Sequence, residues 1–278
     1  MKTLKLLFVS FILFCSSCTS QSKKINGISF VASSKEVTNQ HINDVKKVSA
    51  NYVTLMPFAF VKDLSSPKVI YNSKNQWFGE TEEGVKQYAK EFQKSEIKIM
   101  LKPQIWVWNG VYTGMIKMNS EDKWREFEQS YEDFILVFAA IAEQINAEIF
   151  CIGTELEQFV KNRPEYWQKL IEKIRKVYSG KLTYAANWDE FKRIDLWNDL
   201  DFIGIDAYFP LSDQKSPSIE DFEKGWQPHK NEVVEVQRKF KKPVLFTEYG
   251  YRSVDFTGKE PWNSDKIEGS VNLENQEK

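Results

Sequence analysis

Seven short apolar runs, each followed by a stretch of helical or irregular polar sequence, constrain this chain more than any other feature. The runs lie at 27–31, 52–57, 97–102, 148–153, 182–187, 202–207 and 243–247. Between them fall helical patterns at 35–49, 82–95, 121–145, 164–178, 190–198 and 219–240. In the longest, Trp124, Phe127, Tyr131, Phe134, Phe138, Ile141 and Ile145 recur at steps of three and four, one face of an amphipathic helix. Ser218, with Asp221 three residues on, suits the cap of the last helix. Strict β-then-α alternation implies an α/β protein with a parallel sheet.

Two architectures meet that description, an open doubly wound sheet and a (β/α)8 TIM-barrel type. The turn after the first run, "GISFVASSKE", has no G-x-G-x-x-G, and no phosphate-binding G-x-x-x-x-G-K-[ST] occurs anywhere. Polar and aromatic residues collect instead at the C-terminal ends of the runs, where barrel enzymes build their sites. Lys102, Gln104, Trp106 and Trp108 follow the third run, Glu155 the fourth, and Asn187 and Trp188 the fifth. Asp206 and Tyr208 close the sixth, and Glu248 the seventh. The barrel is the predicted fold. Thirty residues follow Glu248 without a further apolar run, so the expectation is a barrel truncated before strand eight, with exposed edges.

Charge and histidine content narrow the chemistry. A formal net charge of -1 gives no reason to expect a nucleic-acid partner. Only His41 and His229 are present, which disfavours His-based metal sites and a Ser-His-Asp triad. Hydrolysis by such a chain falls to carboxylates and needs no cofactor. The 9 Trp, 11 Tyr and 20 Phe suit a cleft that stacks sugar rings, although an aromatic core gives the same count.

The first residues, "MKTLKLLFVSFILFCSSCTSQSKK", join a basic start to an apolar segment from Leu6 to Phe14 that is too short to span a bilayer. Ser16 and Ser17 precede Cys18, the arrangement of a bacterial lipoprotein signal with Cys18 lipidated. The expected organisation is a signal over 1–18, a tether over 19–25 and one domain over 26–278. The expected location is exported and lipid-anchored, periplasmic or at the cell surface, with that anchor as the only membrane contact and a monomeric state. Cys151 then remains as the one free thiol of the domain, a small buried strand residue.

Glu155 and Glu248 carry the chemical hypothesis. Side chains alternate along a strand, so Cys151, Gly153 and Glu155 are expected on one face, and Val244, Phe246 and Glu248 likewise. If Phe246 points into the barrel, Glu248 follows it to the rim. Carboxyl groups facing each other at about 5 Å suit retaining glycoside hydrolysis. The plainer alternative for either acid is an ion pair with Lys102 or Arg252. Glu157 is expected to be a first-turn helix acid favoured by the dipole.

The motifs "IGTELE" and "LFTEYGY" resemble the strand-four and strand-seven signatures of clan A glycoside hydrolases. With "MLKPQIWV" and "FIGIDAYFPL", the pattern over residues 25–265 is most similar to glycoside hydrolase family 113, whose characterised members are β-1,4-mannanases. The resemblance implies a substrate of β-linked oligo- or polysaccharide. It implies Glu155 as general acid/base and Glu248 as nucleophile, with Tyr208 orienting Glu248. Trp106, Trp108 and Trp188 would line sugar subsites, helped by Lys102, Gln104, Asn187 and Asp206. Thr154 departs from the Asn that many clan members carry before the acid/base. Two rivals are a sugar-binding lipoprotein of the same fold without turnover and a different carboxylate-based barrel hydrolase.

Overall fold

A computed structural model describes residues 24–263 and 269–278; the apolar leader and Cys18 lie outside them. Seven strands form one parallel sheet: β1 (Gly27–Val31), β2 (Tyr52–Met56), β4 (Lys98–Leu101), β6 (Ile149–Thr154), β7 (Lys181–Asn187), β8 (Ile203–Asp206) and β9 (Val244–Glu248). They pair in chain order, as expected of a barrel. Among the described residues β1 and β9 are the two ends of the sheet. The sheet curls strongly, since the Lys102 side chain beyond β4 reaches Asp206 in β8 and Glu248 in β9.

The helices are α1 (Asn39–Lys47), α2 (Glu82–Gln93), α3 (Glu121–Gln144), α4 (Glu157–Asn162), α5 (Pro164–Val177), α6 (Ile219–Phe240) and α7 (Leu273–Glu277). The apolar residues of α1, α2, α3, α5 and α6 pack onto the core, whereas α7 buries only Asn275. Trp124, Phe127, Tyr131, Phe134, Phe138 and Ile141 of α3 are all buried, which is why a 24-residue segment with seven carboxylates still docks. The Ser218 hydroxyl accepts from the Asp221 N–H, and Asp221 reaches back to the Ser218 N–H, so the expected cap of α6 forms.

The region around 190–198 is not one helix but two 3-10 turns, Phe191–Arg193 and Leu196–Asn198. Two further strands were not expected, β3 (Phe58–Val61) and β5 (Gln104–Val107), which pair parallel outside the main sheet. Each continues a main strand past a proline, Pro57 after β2 and Pro103 after β4. Proline has no N–H to donate, so the ladder breaks there, but Gln104 N–H regains it on the Pro57 carbonyl at 3.0 Å. This extension raises Gln104, Trp106 and Trp108 along the barrel mouth.

The side-chain alternation expected at the strands that carry Glu155 and Glu248 does not hold. Leu245 packs inside the barrel with Met100, Ile149, Cys151 and Ala185. Phe246 faces the other way, 39% exposed and packed against Phe209 and Trp226 of α6. The β8–β9 register shifts between Ile205 and Asp206, so Asp206 pairs with Glu248 and the extra residue turns Glu248 inward. At β6 the register shifts between Cys151 and Thr154. A Cβ on Gly153 would meet Trp167 at 2.8 Å and Tyr131 at 3.0 Å, on the helix side, whereas Cys151 faces inward. Both acids therefore reach the mouth through bulges, not through regular alternation.

Candidate active site

Glu248 ends β9 inside a dense set of donors. Lys102 Nζ lies 2.5 Å from Glu248 Oε1, and Gln104 Nε2 donates to the same oxygen at 3.1 Å. The Tyr208 hydroxyl donates to Oε2 at 3.0 Å. Lys102 is 0% exposed and also holds both Asp206 oxygens, at 3.0 and 3.1 Å. Asp206 takes a further hydrogen bond from Thr247 Oγ1 at 2.7 Å. The ion pair foreseen as a structural alternative is thus present for Glu248, and it sits beneath a carboxylate that still reaches the mouth. Lys102 and Asp206 lie under Glu248 rather than along the cleft, so in this geometry they hold the carboxylate.

The electrostatics follow from those contacts. Burial alone would raise the Glu248 carboxyl, but the Lys102 charge and the three donors outweigh it and hold the group below its ordinary value. Burial pushes Lys102 down, yet Asp206 and Glu248 together drive its ammonium well above the usual lysine range. Lys102 and Glu248 thus each favour the charged form of the other.

Glu155 is held differently. It follows the β6 bulge at φ 50°, in the left-handed region that costs a residue with a side chain about 1–2 kcal/mol. Its N–H donates to the Ala185 carbonyl at 2.8 Å, and its own carbonyl accepts from Thr113 Oγ1 at 3.3 Å. The next N–H, of Leu156, donates to the Tyr184 hydroxyl at 2.5 Å. Burial first, then the charge of Asp206, push the Glu155 carboxyl well above the carboxylate range; Lys102 pulls against them, while Glu190 and Glu248 add to the rise. Glu157, by contrast, opens α4 and is gripped by Arg193 at 2.6 and 2.9 Å, a surface ion pair.

The remaining expected residues divide into three groups. Trp106 and Trp108 are 50% and 59% exposed, beyond Gln104 on the same edge of β5. Asn187 ends β7 with its Oδ1 buried and unpartnered, and its side chain lies near the Tyr112 hydroxyl. Trp188 stacks on Trp262, with ring centres 5.3 Å apart and planes 18° from parallel. Among the described residues no cluster of three or more His, Cys, Asp or Glu side chains could hold a metal ion. A surface hollow of about 640 Å³ lined by Asn72, Gln76, Trp77 and Thr81 includes none of these groups.

Sequence reasoning missed Tyr112, Tyr184, Glu190 and Trp262. Burial raises the Tyr112 hydroxyl, and the charges of Glu155 and Glu190 raise it further, which puts it near Glu155. Glu190 lies three residues past the end of β7, the spacing at which an acid turns back to cap a strand-end N–H; that local signal was available. Tyr184 reads as ordinary strand core, and only its hydroxyl contacts reveal otherwise.

Residues 31–278 match the sequence profile of Glycoside Hydrolase Family 113. A solved complex of a GH113 β-1,4-mannanase is similar with TM-score 0.78 and 23% identity, covering 91% of this chain and 80% of that one. A GH113 β-mannanase from Alicyclobacillus acidocaldarius, in complex with ManMIm, gives TM-score 0.78 at 22% identity, over 91% and 79%. A β-glucuronidase from Ruminococcus gnavus gives TM-score 0.56 at 13% identity, over 89% of this chain and 38% of that one. These likenesses show a common barrel-type fold. Comparison with curated proteins returned no match.

Proposed function

The chain belongs to glycoside hydrolase family 113, and we propose that it cleaves β-1,4-linked mannan with retention at the anomeric carbon. The observation that carries this reading is the opposite displacement of two carboxyl groups in one site, Glu248 downward and Glu155 upward. Pairs pushed apart in this way divide into an ionised group and a proton donor. Glu155 gives its proton to the glycosidic oxygen as the bond to the leaving sugar breaks. Glu248 attacks the anomeric carbon and forms a glycosyl-enzyme ester. Glu155, now ionised, takes a proton from water, and the resulting attack releases the sugar and restores Glu248.

Lys102 keeps the nucleophile ionised, and Tyr208 and Gln104 aim its two oxygens. Trp106 and Trp108 offer exposed ring faces on which pyranose rings stack. The mannanase names of the similar structures support the substrate assignment. Proton NMR of the first product from manno-oligosaccharide is the test. The β anomer is expected; an α anomer overturns retention, and binding without turnover supports the non-hydrolytic alternative.

Export with a lipid on Cys18 belongs to the same proposal, supported by the basic, apolar and small-residue order of the leader. Metabolic labelling with palmitate is expected to mark the wild-type chain and not Cys18→Ser. Equal labelling of both sinks the anchor assignment.

A further inference from the structure

Glu190 is 0% exposed, and the chemistry above leaves it without a task. Its Oε2 accepts from the Asn187 N–H at 2.9 Å, and its Oε1 accepts from the Tyr184 hydroxyl at 2.7 Å. The Tyr184 hydroxyl in turn accepts the Leu156 N–H, one residue after Glu155. A continuous buried relay thus joins the end of β7 to the backbone that projects Glu155. A left-handed residue with a side chain persists only where its surroundings over-determine it. The Ala185 carbonyl and Thr113 hold the near side of Glu155, and this relay holds the far side.

Burying a carboxyl group costs free energy that its hydrogen-bond partners must offset. The groups facing Glu190 are Tyr184 and the Asn187 N–H from β7, Glu157 from α4, and Asp206 from β8. Glu155 and Tyr112 face it across the mouth. Burial raises its carboxyl to about 8 against the pull of Asn187 and Tyr184, with Glu157 and Asp206 adding to the rise.

We propose that Glu190, acting through Tyr184 and the Leu156 amide, is a positioning residue that holds Glu155 where it can protonate the leaving oxygen. This rests on the retaining-hydrolase reading above. A positioning residue for the acid matters only when the leaving group needs a proton. Tyr184→Phe, Glu190→Gln and Glu155→Gln are therefore compared with wild type on two β-mannosides. One is a manno-oligosaccharide, which must be protonated; the other is a 2,4-dinitrophenyl mannoside, whose phenolate leaves unaided.

For Tyr184→Phe and Glu190→Gln, kcat/KM on the oligosaccharide is expected to fall about tenfold, a single hydrogen bond's worth, and less than about twofold on the aryl glycoside. Equal losses on both substrates, or no loss on either, overturn the proposal. Should Glu190→Gln fail to fold, Tyr184→Phe decides alone, since it deletes one oxygen. If the relay idea alone is wrong, Glu155→Gln still separates the two substrates. If wild type cleaves neither, or Glu155→Gln does not separate them, the function reading fails and takes this proposal with it.

Discussion

At the end of β9, Glu248 is gripped through its side chain; at the end of β6, Glu155 is gripped through its backbone. Three donors converge on the Glu248 oxygens, and one of them is a buried cation. The bonds that fix Glu155 end on its own N–H and carbonyl and on the following N–H. The difference matches the roles proposed for the two groups. A nucleophile needs its charge maintained and its lone pairs aimed, which side-chain donors supply. A group that gives and takes back a proton would be hampered by strong fixed donors, so its position is set one bond further away.

The sharpest way to break this contrast is to remove each acid in turn. Glu248→Gln is expected to lower kcat/KM by more than about 10⁴-fold, beyond what a proton-transfer group alone contributes. The loss should be the same on activated and unactivated mannosides, because both need the bond to Glu248. Glu155→Gln is expected to cost roughly 10² to 10⁴-fold on oligosaccharide, the usual range for general acid catalysis, and far less on the aryl glycoside. Identical substrate profiles for the two variants would erase the distinction between side-chain and backbone holding.

Lys102→Met tests the cation. It leaves Asp206 and Glu248 buried together without their partner, and removing one side of such a buried pair costs about 3–5 kcal/mol, read as a lowered Tm. For Glu248, whose folded value is depressed, the sign with pH follows from linkage. In wild type its contribution to stability is present above the unfolded carboxyl value and is lost as pH falls through the folded one. In the variant that contribution vanishes, and the acid limb of the kcat/KM profile moves to higher pH. An unmoved acid limb would show that Lys102 does not maintain the Glu248 charge. The smallest effect is expected from Trp106→Ala, where loss of one exposed stacking face costs about 0.5–1.5 kcal/mol. It should raise KM several-fold and leave kcat nearly unchanged.

The sheet order and the two acids were legible because their signals are local and repetitive. Apolar runs alternate with helical stripes, and Glu155 and Glu248 each follow such a run directly. Their route into the mouth was not legible. Alternation put Phe246 and Glu248 on one face, whereas Phe246 faces α6 and Glu248 the mouth, because the residue inserted between them flips the parity beyond it. Such bulges leave little mark on composition; at β6 the trace is Gly153, where any Cβ would strike Trp167. The β3–β5 ribbon was hidden by Pro57 and Pro103, which read as strand ends although the chain resumes pairing after each. Glu190 and Tyr184 were hidden for another reason: their contacts link β7 to the residue after β6, and no single-strand pattern displays a bond between two strands.

The left-handed conformation of Glu155 has a consequence for how easily this protein could lose its activity. An acid whose folded value is raised weakens the fold as pH climbs from the unfolded carboxyl value toward the folded one. Replacing it with glycine removes that burden and relieves the backbone at φ 50° as well. Glu155→Gly is therefore expected to unfold at a higher temperature than wild type at pH 7, by differential scanning calorimetry, while hydrolysing almost nothing. At this position thermal hardening and inactivity lie in the same direction, so a screen that rewards heat tolerance alone would drift toward a silent barrel.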